Sequence, residues 1–184
     1  MLSRWTARPL TSLLARLPSQ CALCRDWPSR PVCEACAARF AASAPRCQTC
    51  ALPLPAGVVA PNDLACDPDN PDRLYLAAWP QMQDGSSDGG GLWISEDCGR
   101  SWKLSFNQAA YAFGVTVDSR SPQTLYLTTF NSALWRSDDR GGSWRRVEGF
   151  NFKWGHRAVP DPYDPSMLYV ATFGGSLFHG PAAG

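Results

Sequence analysis

Six of the eight cysteines crowd into residues 21–50 as three Cys-x-x-Cys pairs, Cys21/Cys24, Cys33/Cys36 and Cys47/Cys50. A Cys-x-x-Cys turn presents two thiolates on one side, and two such turns close the tetrahedron of soft ligands that zinc prefers. Only eight residues separate Cys24 from Cys33. Cys21, Cys24, Cys33 and Cys36 are therefore expected to hold one Zn2+. Cys47 and Cys50 need two further ligands. Only Cys66 and Cys98 remain for that role, and a cross-braced pairing of the three pairs stays open. Spacing this close points to metal knuckles rather than a disulfide framework. Such knuckles need reduced thiols, which makes a cytoplasmic location the expectation.

The acids show no comparable pattern. A glycosidase needs two carboxylates set across a cleft. Asp72, Asp84, Asp88, Asp161 and Asp164 fall in turns or loops, and no motif singles one out. No catalytic residue and no organic-cofactor site is expected, so the chain reads as a non-enzymatic protein. Two further motifs are in register. Ser95-Glu-Asp97-Cys-Gly99-Arg-Ser-Trp102 and Ser137-Asp-Asp139-Arg-Gly141-Gly-Ser-Trp144 share the pattern S-x-D-x-G-x-x-W. The glycine frees the turn to adopt positive φ, and the Asp carboxylate can accept hydrogen bonds from turn amides. The Trp is expected to be buried between sheets. These residues stabilise a fold, and no chemistry is assigned to them.

These motifs sit in two segments of different composition. Before about Gly57 the chain is rich in Ala, Arg, Pro and Cys; after it come Asp-Pro turns, Leu-Tyr-Leu runs and Trp. The expected domains are residues 1–57 and 58–184, joined through the proline-rich Ala51-Leu-Pro-Leu-Pro-Ala-Gly57. Leu10, Leu13, Leu14 and Leu17 can form one helical stripe at the N-terminus, beside Arg4, Arg8 and Arg16. This stretch lacks the apolar core of a secretory signal and reads as a short helix leading into the ribbon. No segment is apolar and long enough to span a membrane. A net charge of +1 creates no field that would draw in nucleic acid.

The second segment repeats. Asp67-Pro-Asp-Asn-Pro-Asp-Arg-Leu-Tyr-Leu76 returns as Asp118-Ser-Arg-Ser-Pro-Gln-Thr-Leu-Tyr-Leu127 and as Asp161-Pro-Tyr-Asp-Pro-Ser-Met-Leu-Tyr-Val170, in steps of 51 and 43 residues. Short strands recurring at such a period mark propeller blades. The fold class is therefore mainly β: a small zinc ribbon with a short N-terminal helix, then an incomplete β-propeller of about two and a half four-stranded blades. In the second unit the strands are expected near residues 113–118, 124–130, 133–137 and 143–147. Residues 81–91 read as a loop. Trp79 and Trp93 are expected in the interblade core, and residues 154–157 as a strand-entry turn, with a ligand face formed by Trp154, His156 and Arg157 as the alternative.

Two resemblances follow. Leu17-Pro-Ser-Gln-Cys-Ala-Leu-Cys24, Pro31-Val-Cys-Glu-Ala-Cys36 and Pro45-Arg-Cys-Gln-Thr-Cys-Ala-Leu-Pro-Leu-Pro55 resemble the N-terminal double zinc ribbon of the ComF competence-protein family. In that family a fourth Cys-x-x-Cys follows the Leu-Pro-Leu-Pro segment, where this chain has Gly57-Val-Val-Ala-Pro-Asn62. The family's phosphoribosyltransferase domain has no counterpart here. Leu134-Trp-Arg-Ser-Asp-Asp-Arg-Gly-Gly-Ser143 mimics its diphosphate strand but lacks the Thr/Gly-rich loop, so no phosphoribosyltransferase activity is expected. The repeats resemble the Asp-box (BNR) propellers of the sialidase, sortilin and xyloglucanase group. That resemblance implies carbohydrate or protein binding on the loop face of a complete ring.

The functional expectation is a zinc-binding interaction protein or a fusion of two family fragments. The alternative is a carbohydrate-binding or glycoside-hydrolase-like propeller fragment, active only in a completed ring. Partners would be other propeller-bearing chains, proteins or carbohydrate, with oligomers forming through open sheet edges.

Overall fold

The computed structural model describes residues 20–25, 27, 32–40, 53–58, 60–83, 86–107, 109–132, 134–150 and 152–184. The N-terminal helix expected before the ribbon, and Cys47 and Cys50, lie outside these residues. The chain divides into two compact units, Met1–Ala44 and Pro45–Gly184.

In the first unit the described secondary structure is one short helix, α1 (Glu34–Phe40), which opens on an acidic residue suited to the helix N-terminus. The turn over residues 21–25 is closed by a bond from the Arg25 amide to the Cys21 carbonyl, 2.9 Å, and Arg25 takes a φ of 61°.

The second unit is mainly β, built from antiparallel sheets met in chain order. The first sheet joins β1 (Ala60–Cys66), β2 (Leu74–Trp79), β5 (Gly91–Ser95) and β6 (Lys103–Phe106) in the order β1-β2-β5-β6. Between β2 and β5 lies a hairpin, β3 (Gln81–Gln83) with β4 (Ser86–Asp88), where the sequence suggested only a loop. It lacks the apolar alternation by which strands are recognised. The second sheet joins β7 (Ala112–Val117), β8 (Leu125–Thr129), β9 (Leu134–Ser137) and β10 (Arg145–Arg146), again side by side in chain order. The third joins β11 (Gly155–Pro160), β12 (Met167–Thr172) and β13 (Leu177–Pro181).

Pattern and register agree on how the sheets pack. In β8 both faces are buried, as a strand between two layers must be. Leu127 pairs with Val115 and Trp135 and turns toward the first sheet, where Tyr75, Ala77 and Leu92 complete a core. Tyr126 faces the other way, onto Ala158, Leu168 and Val170 of the third sheet. The first strands of the three sheets lie beside one another, β1 against β7 and β7 against β11. Thr116 Oγ1 donates to the Ala158 carbonyl at 2.7 Å and Thr128 Oγ1 to the His156 carbonyl at 2.8 Å. Gly114 lets this happen: a Cβ there would stand 2.5 Å from the His156 carbonyl oxygen. An Arg157–Asp63 ion pair of 2.8 Å links the third sheet to the first across β7.

The free face of the first sheet is covered by residues 53–58. Val58 forms a cluster with Leu76 and Ala78, against which Leu54, Trp93 and Trp102 pack.

Candidate functional site

The cysteine cluster is the tightest grouping of metal-ligating side chains among the described residues. The four sulfurs of Cys21, Cys24, Cys33 and Cys36 all lie within 4.8 Å of one another, and Cys24 and Cys33 are 3.6 Å apart. Two local devices place them. The turn at residues 21–25 presents Cys21 and Cys24; Cys33 stands immediately before α1 and Cys36 in its first turn. The Cys33 amide donates to Cys21 Sγ at 3.4 Å and the Cys36 amide to Cys33 Sγ at 3.3 Å. Backbone amides, led by that of Cys33, lower the Cys21 thiol to about 6. Hydrogen bonding to Cys33 and burial push Cys36 up to about 12. Zn–S bonds of about 2.3 Å require sulfurs about 3.5–4 Å apart, so this donor set suits zinc after a small contraction.

The Asp-boxes form at one end of the sheets. Ser95 Oγ donates to Asp97 Oδ1 at 2.8 Å and accepts the Gly99 amide at 2.8 Å. Asp97 in turn accepts the Ser101 amide at 2.8 Å and the Ser101 hydroxyl at 2.7 Å. The second box repeats each bond: Ser137 to Asp139 at 2.7 Å, Gly141 to Ser137 at 2.8 Å, and the Ser143 amide and hydroxyl to Asp139 at 2.8 and 2.6 Å. These donors lower both carboxyls to about 2, led by the Ser101 amide at Asp97 and the Ser143 hydroxyl at Asp139. Gly99 and Gly141 take φ of 81° and 88°, and Cys98 and Arg140 beside them also sit at 57°. Trp102 and Trp144 are half-buried rather than enclosed. Each lies at the entry to a fourth strand, β6 or β10, at the rim of its core cluster, so part of the ring reaches solvent.

A cavity of about 430 Å³ lies between the first two sheets at this end, lined by Arg73, Lys103, Ser105 and Arg140 among others. Its guanidinium groups are engaged. Arg73 meets Asp67 at 2.9 Å and Glu96 at 2.8 Å, and Arg140 meets Asp67 at 3.3 Å. Burial alone would raise the Asp67 carboxyl, but the Asp69 amide and both arginines hold it below the usual range.

The opposite end is aromatic. Trp79 closes β2, while Phe130 and Phe173 directly follow β8 and β12, so the three occupy one repeat position. Tyr111, Phe113, Trp154 and His156 enter from the starts of β7 and β11. Trp79 lies 5.0 Å from Tyr111 and from Phe130. Phe113 meets Phe173 edge-on at 4.5 Å. Trp154 lies nearly parallel to Phe130, at 5.5 Å and 16°, and is 45% exposed. Trp79 thus belongs to this surface and not to the core expected from its alternation. Residues 154–157, expected as a strand-entry turn with a ligand face as the alternative, also lend it Trp154 and His156. The signal was present: an aromatic residue follows each aligned Leu-Tyr block at the same distance.

No family model matches the chain. Its C-terminal part is similar to xyloglucanases. The chain is 32% identical over 123 residues to xyloglucanase Xgh74A of Acetivibrio thermocellus, covering 59% of this chain and 14% of that protein. It is 32% identical over 97 residues to a Paenibacillus xyloglucanase, covering 47% and 9%. Among solved structures, the GH74 enzyme of Niastella koreensis superposes with a TM-score of 0.45 at 23% identity, over 69% of this chain and 29% of that one. The chain therefore spans a small part of the curated relatives it matches. These relatives correct the expectation of a non-enzymatic protein, because they are enzymes. A stretch covering 14% of such an enzyme need not contain its acid pair, so the missing motif was no evidence against enzymatic function.

Proposed function

We propose that residues 60–184 are successive blades of a xyloglucanase-like β-propeller, part of an enzyme that cleaves xyloglucan, and that their aromatic end lines its glycan cleft. The observation carrying this reading is the 32% identity to xyloglucanase Xgh74A over 123 residues. Consecutive antiparallel sheets with neighbouring first strands support it, since propeller blades stack this way around an axis. The aromatic surface supports the ligand class. Sugar rings present apolar C–H faces that pack flat on exposed aromatic planes, and polar groups at the rim fix their orientation. Trp154 offers such a plane, with His156 beside it. The test is affinity electrophoresis of the full chain in gels containing xyloglucan. Retardation that Trp154→Ala abolishes is expected. Wild-type migration unaffected by xyloglucan, or equal retardation of the variant, would sink the reading.

We propose in addition that Cys21, Cys24, Cys33 and Cys36 hold a structural zinc ion, as in the ComF ribbon that this segment resembles. The sulfur cluster within 4.8 Å supports it. Zinc there would cross-link a turn to a helix. Elemental analysis should find about one zinc per chain, lost on Cys36→Ser and retained on Cys47→Ser. The reverse pattern would reassign the site.

A further inference from the structure

The first strand of each of the three blade-like sheets is interrupted at the same repeat position. Pairing skips Asn62 between Pro61 and Asp63 in β1, Phe113 between Ala112 and Gly114 in β7, and His156 between Gly155 and Arg157 in β11. Each interruption is a bulge, in which one extra residue leaves the ladder and breaks the regular alternation of side chains. Bulges re-aim side chains and are over-represented beside binding and active sites. Two of the three residues, Phe113 and His156, already belong to the aromatic end.

A broken ladder leaves backbone groups that need other partners. The preceding sheet supplies them. Asn62 Nδ2 donates to the Ala112 carbonyl at 3.2 Å, and Thr128 Oγ1 donates to the His156 carbonyl at 2.8 Å. Gly155 makes room for the second contact, because a Cβ there would stand 2.9 Å from the Thr128 Cβ. The His156 ring then packs on Phe113 at 4.9 Å and on Phe173 at 5.0 Å. The imidazole is thus seated at its backbone and against two rings. The bulge position also faces solvent where neighbouring sheets are in place. Asn62 is exposed although the second sheet lies beside it, and Phe113, with a sheet on either side, is only half-buried. His156 is exposed as well. Among the described residues no group bonds to the His156 ring nitrogens or to Asn62 Oδ1.

A neutral imidazole donates one hydrogen bond and accepts one, and a primary amide does both. A sugar hydroxyl does both too, so each of these side chains matches it. Aromatic planes hold a sugar ring without fixing how it is turned, and a few placed polar groups supply the orientation. We propose that the bulge row Asn62, Phe113 and His156 orients the glycan, with His156 and Asn62 hydrogen-bonded to hydroxyls of one chain on either side of Phe113. Trp154 supplies the stacking plane, Phe113 and Gly155 position the imidazole, and the row selects a chain long enough to reach from the third sheet to the first. This deepens the glycan-cleft reading above and rests on it.

The experiment is affinity electrophoresis of the full chain in xyloglucan gels, run beside thermal melts. His156→Phe keeps a ring against Phe113 and Phe173 and removes both polar nitrogens. Its dissociation constant should rise roughly tenfold, the loss of one hydrogen bond, while the melting temperature stays at the wild-type value. His156→Gln, which again donates and accepts, should recover part of that loss. Asn62→Ala, at an exposed position in the first sheet, should weaken binding by about threefold or more. If xyloglucan does not retard the wild-type chain, the glycan-cleft reading itself fails. If the wild type is retarded and His156→Phe binds equally well, the cleft stands and the bulge row is overturned. Wild-type binding by Asn62→Ala would overturn it too, as would equal losses in His156→Phe and His156→Gln.

Discussion

The cysteine unit and the sheet unit both rely on short polar turns, yet opposite kinds of residue are buried around them. Among the described residues of the cysteine unit the buried groups are Cys21 and Cys36, while Leu23, Trp27 and Val32 are 54%, 63% and 43% exposed. In the sheet unit Leu92, Leu125, Leu127, Leu134 and Leu168 are all 0% exposed, and the Asp-box carboxylates stay near the surface. A turn and a short helix with these large apolar side chains exposed gain little hydrophobic stabilisation of their own. If the proposed zinc binds the sulfur cluster, its binding would amount to folding energy for this turn and helix. The sheets can lose a turn contact and keep their core.

The sharpest way to break that contrast is chelation. Structural zinc contributes about 10–16 kcal/mol of apparent free energy in small zinc domains. A strong chelator added to the zinc-loaded chain should abolish amide protection in Glu34–Phe40 and leave Leu125–Thr129 protected. Loss in both units, or in neither, would show that the two are not held by different forces.

Within the sheets, depth should set the cost of truncation. Leu127→Ala removes a fully buried side chain between two sheets and should cost about 2–5 kcal/mol. Trp144→Ala should cost less than the ~3–5 kcal/mol of an enclosed aromatic, because its ring is half-buried. Urea midpoints would order the pair. A larger loss at Trp144 would place the interface in the outer strands.

The features legible in sequence were those with local causes. The cysteine knuckles and Asp-boxes announce themselves because each is closed by bonds spanning only a few residues, and the repeats appear because each sheet solves the same packing problem. Residues 53–58 read as a proline-rich link, and nothing local shows that Leu54 and Val58 will join Leu76 and Ala78 in a core cluster. The aromatic end was missed for another reason. The alternation of Trp79 with small residues points to the core, but its position, shared with Phe130 and Phe173 at the end of the second strand of each repeat, is the stronger cue. The relation to xyloglucanases is legible in the repeats, and the glycoside-hydrolase-like alternative is the reading the relatives favour; the non-enzymatic expectation fails because it rests on a catalytic motif that this stretch does not carry.

The Asp-box hub is the buried serine more than the exposed acid. Ser137 is 1% exposed, and its Oγ both donates to Asp139 and accepts the Gly141 amide. Ser137→Ala leaves that amide unpaired and should cost about 1–3 kcal/mol, read by chemical unfolding. A neutral result would mean that the turn is held by Asp139 alone.

The carboxyls themselves predict a pH dependence. Asp97 and Asp139 titrate near 2 when folded, below the ordinary 3.8. A depressed carboxyl contributes stability that is fully present above its unfolded pKa and is lost as pH falls through the folded one. The melting temperature should therefore fall as pH drops from about 4 toward 2. Replacing both residues with Asn should flatten that slope. An unchanged slope would assign acid sensitivity to other carboxyls, such as Asp67 or Asp161.

The smallest effect separates the two boxes from each other. Cys98 and Arg140 occupy the same turn position, both at φ 57°, a conformation that strains a residue bearing a Cβ. Arg140 is compensated across the sheet interface by Asp67 and Asp69, at 3.3 and 3.5 Å. Cys98 has a sulfur contact with Asp72 at 2.7 Å, on the exposed side of its own sheet. Asn tolerates this backbone region better than either residue. Cys98→Asn should therefore raise stability by about 1 kcal/mol or less, while Arg140→Asn should lower it by releasing Asp67 from one of its two cations. Thermal melts of the two variants at neutral pH would decide. If both rose together, backbone strain would outweigh the ion pair and the Arg140 contacts would be incidental to the interface. If both fell, the Cys98 sulfur would hold its turn as firmly as the arginine holds its own.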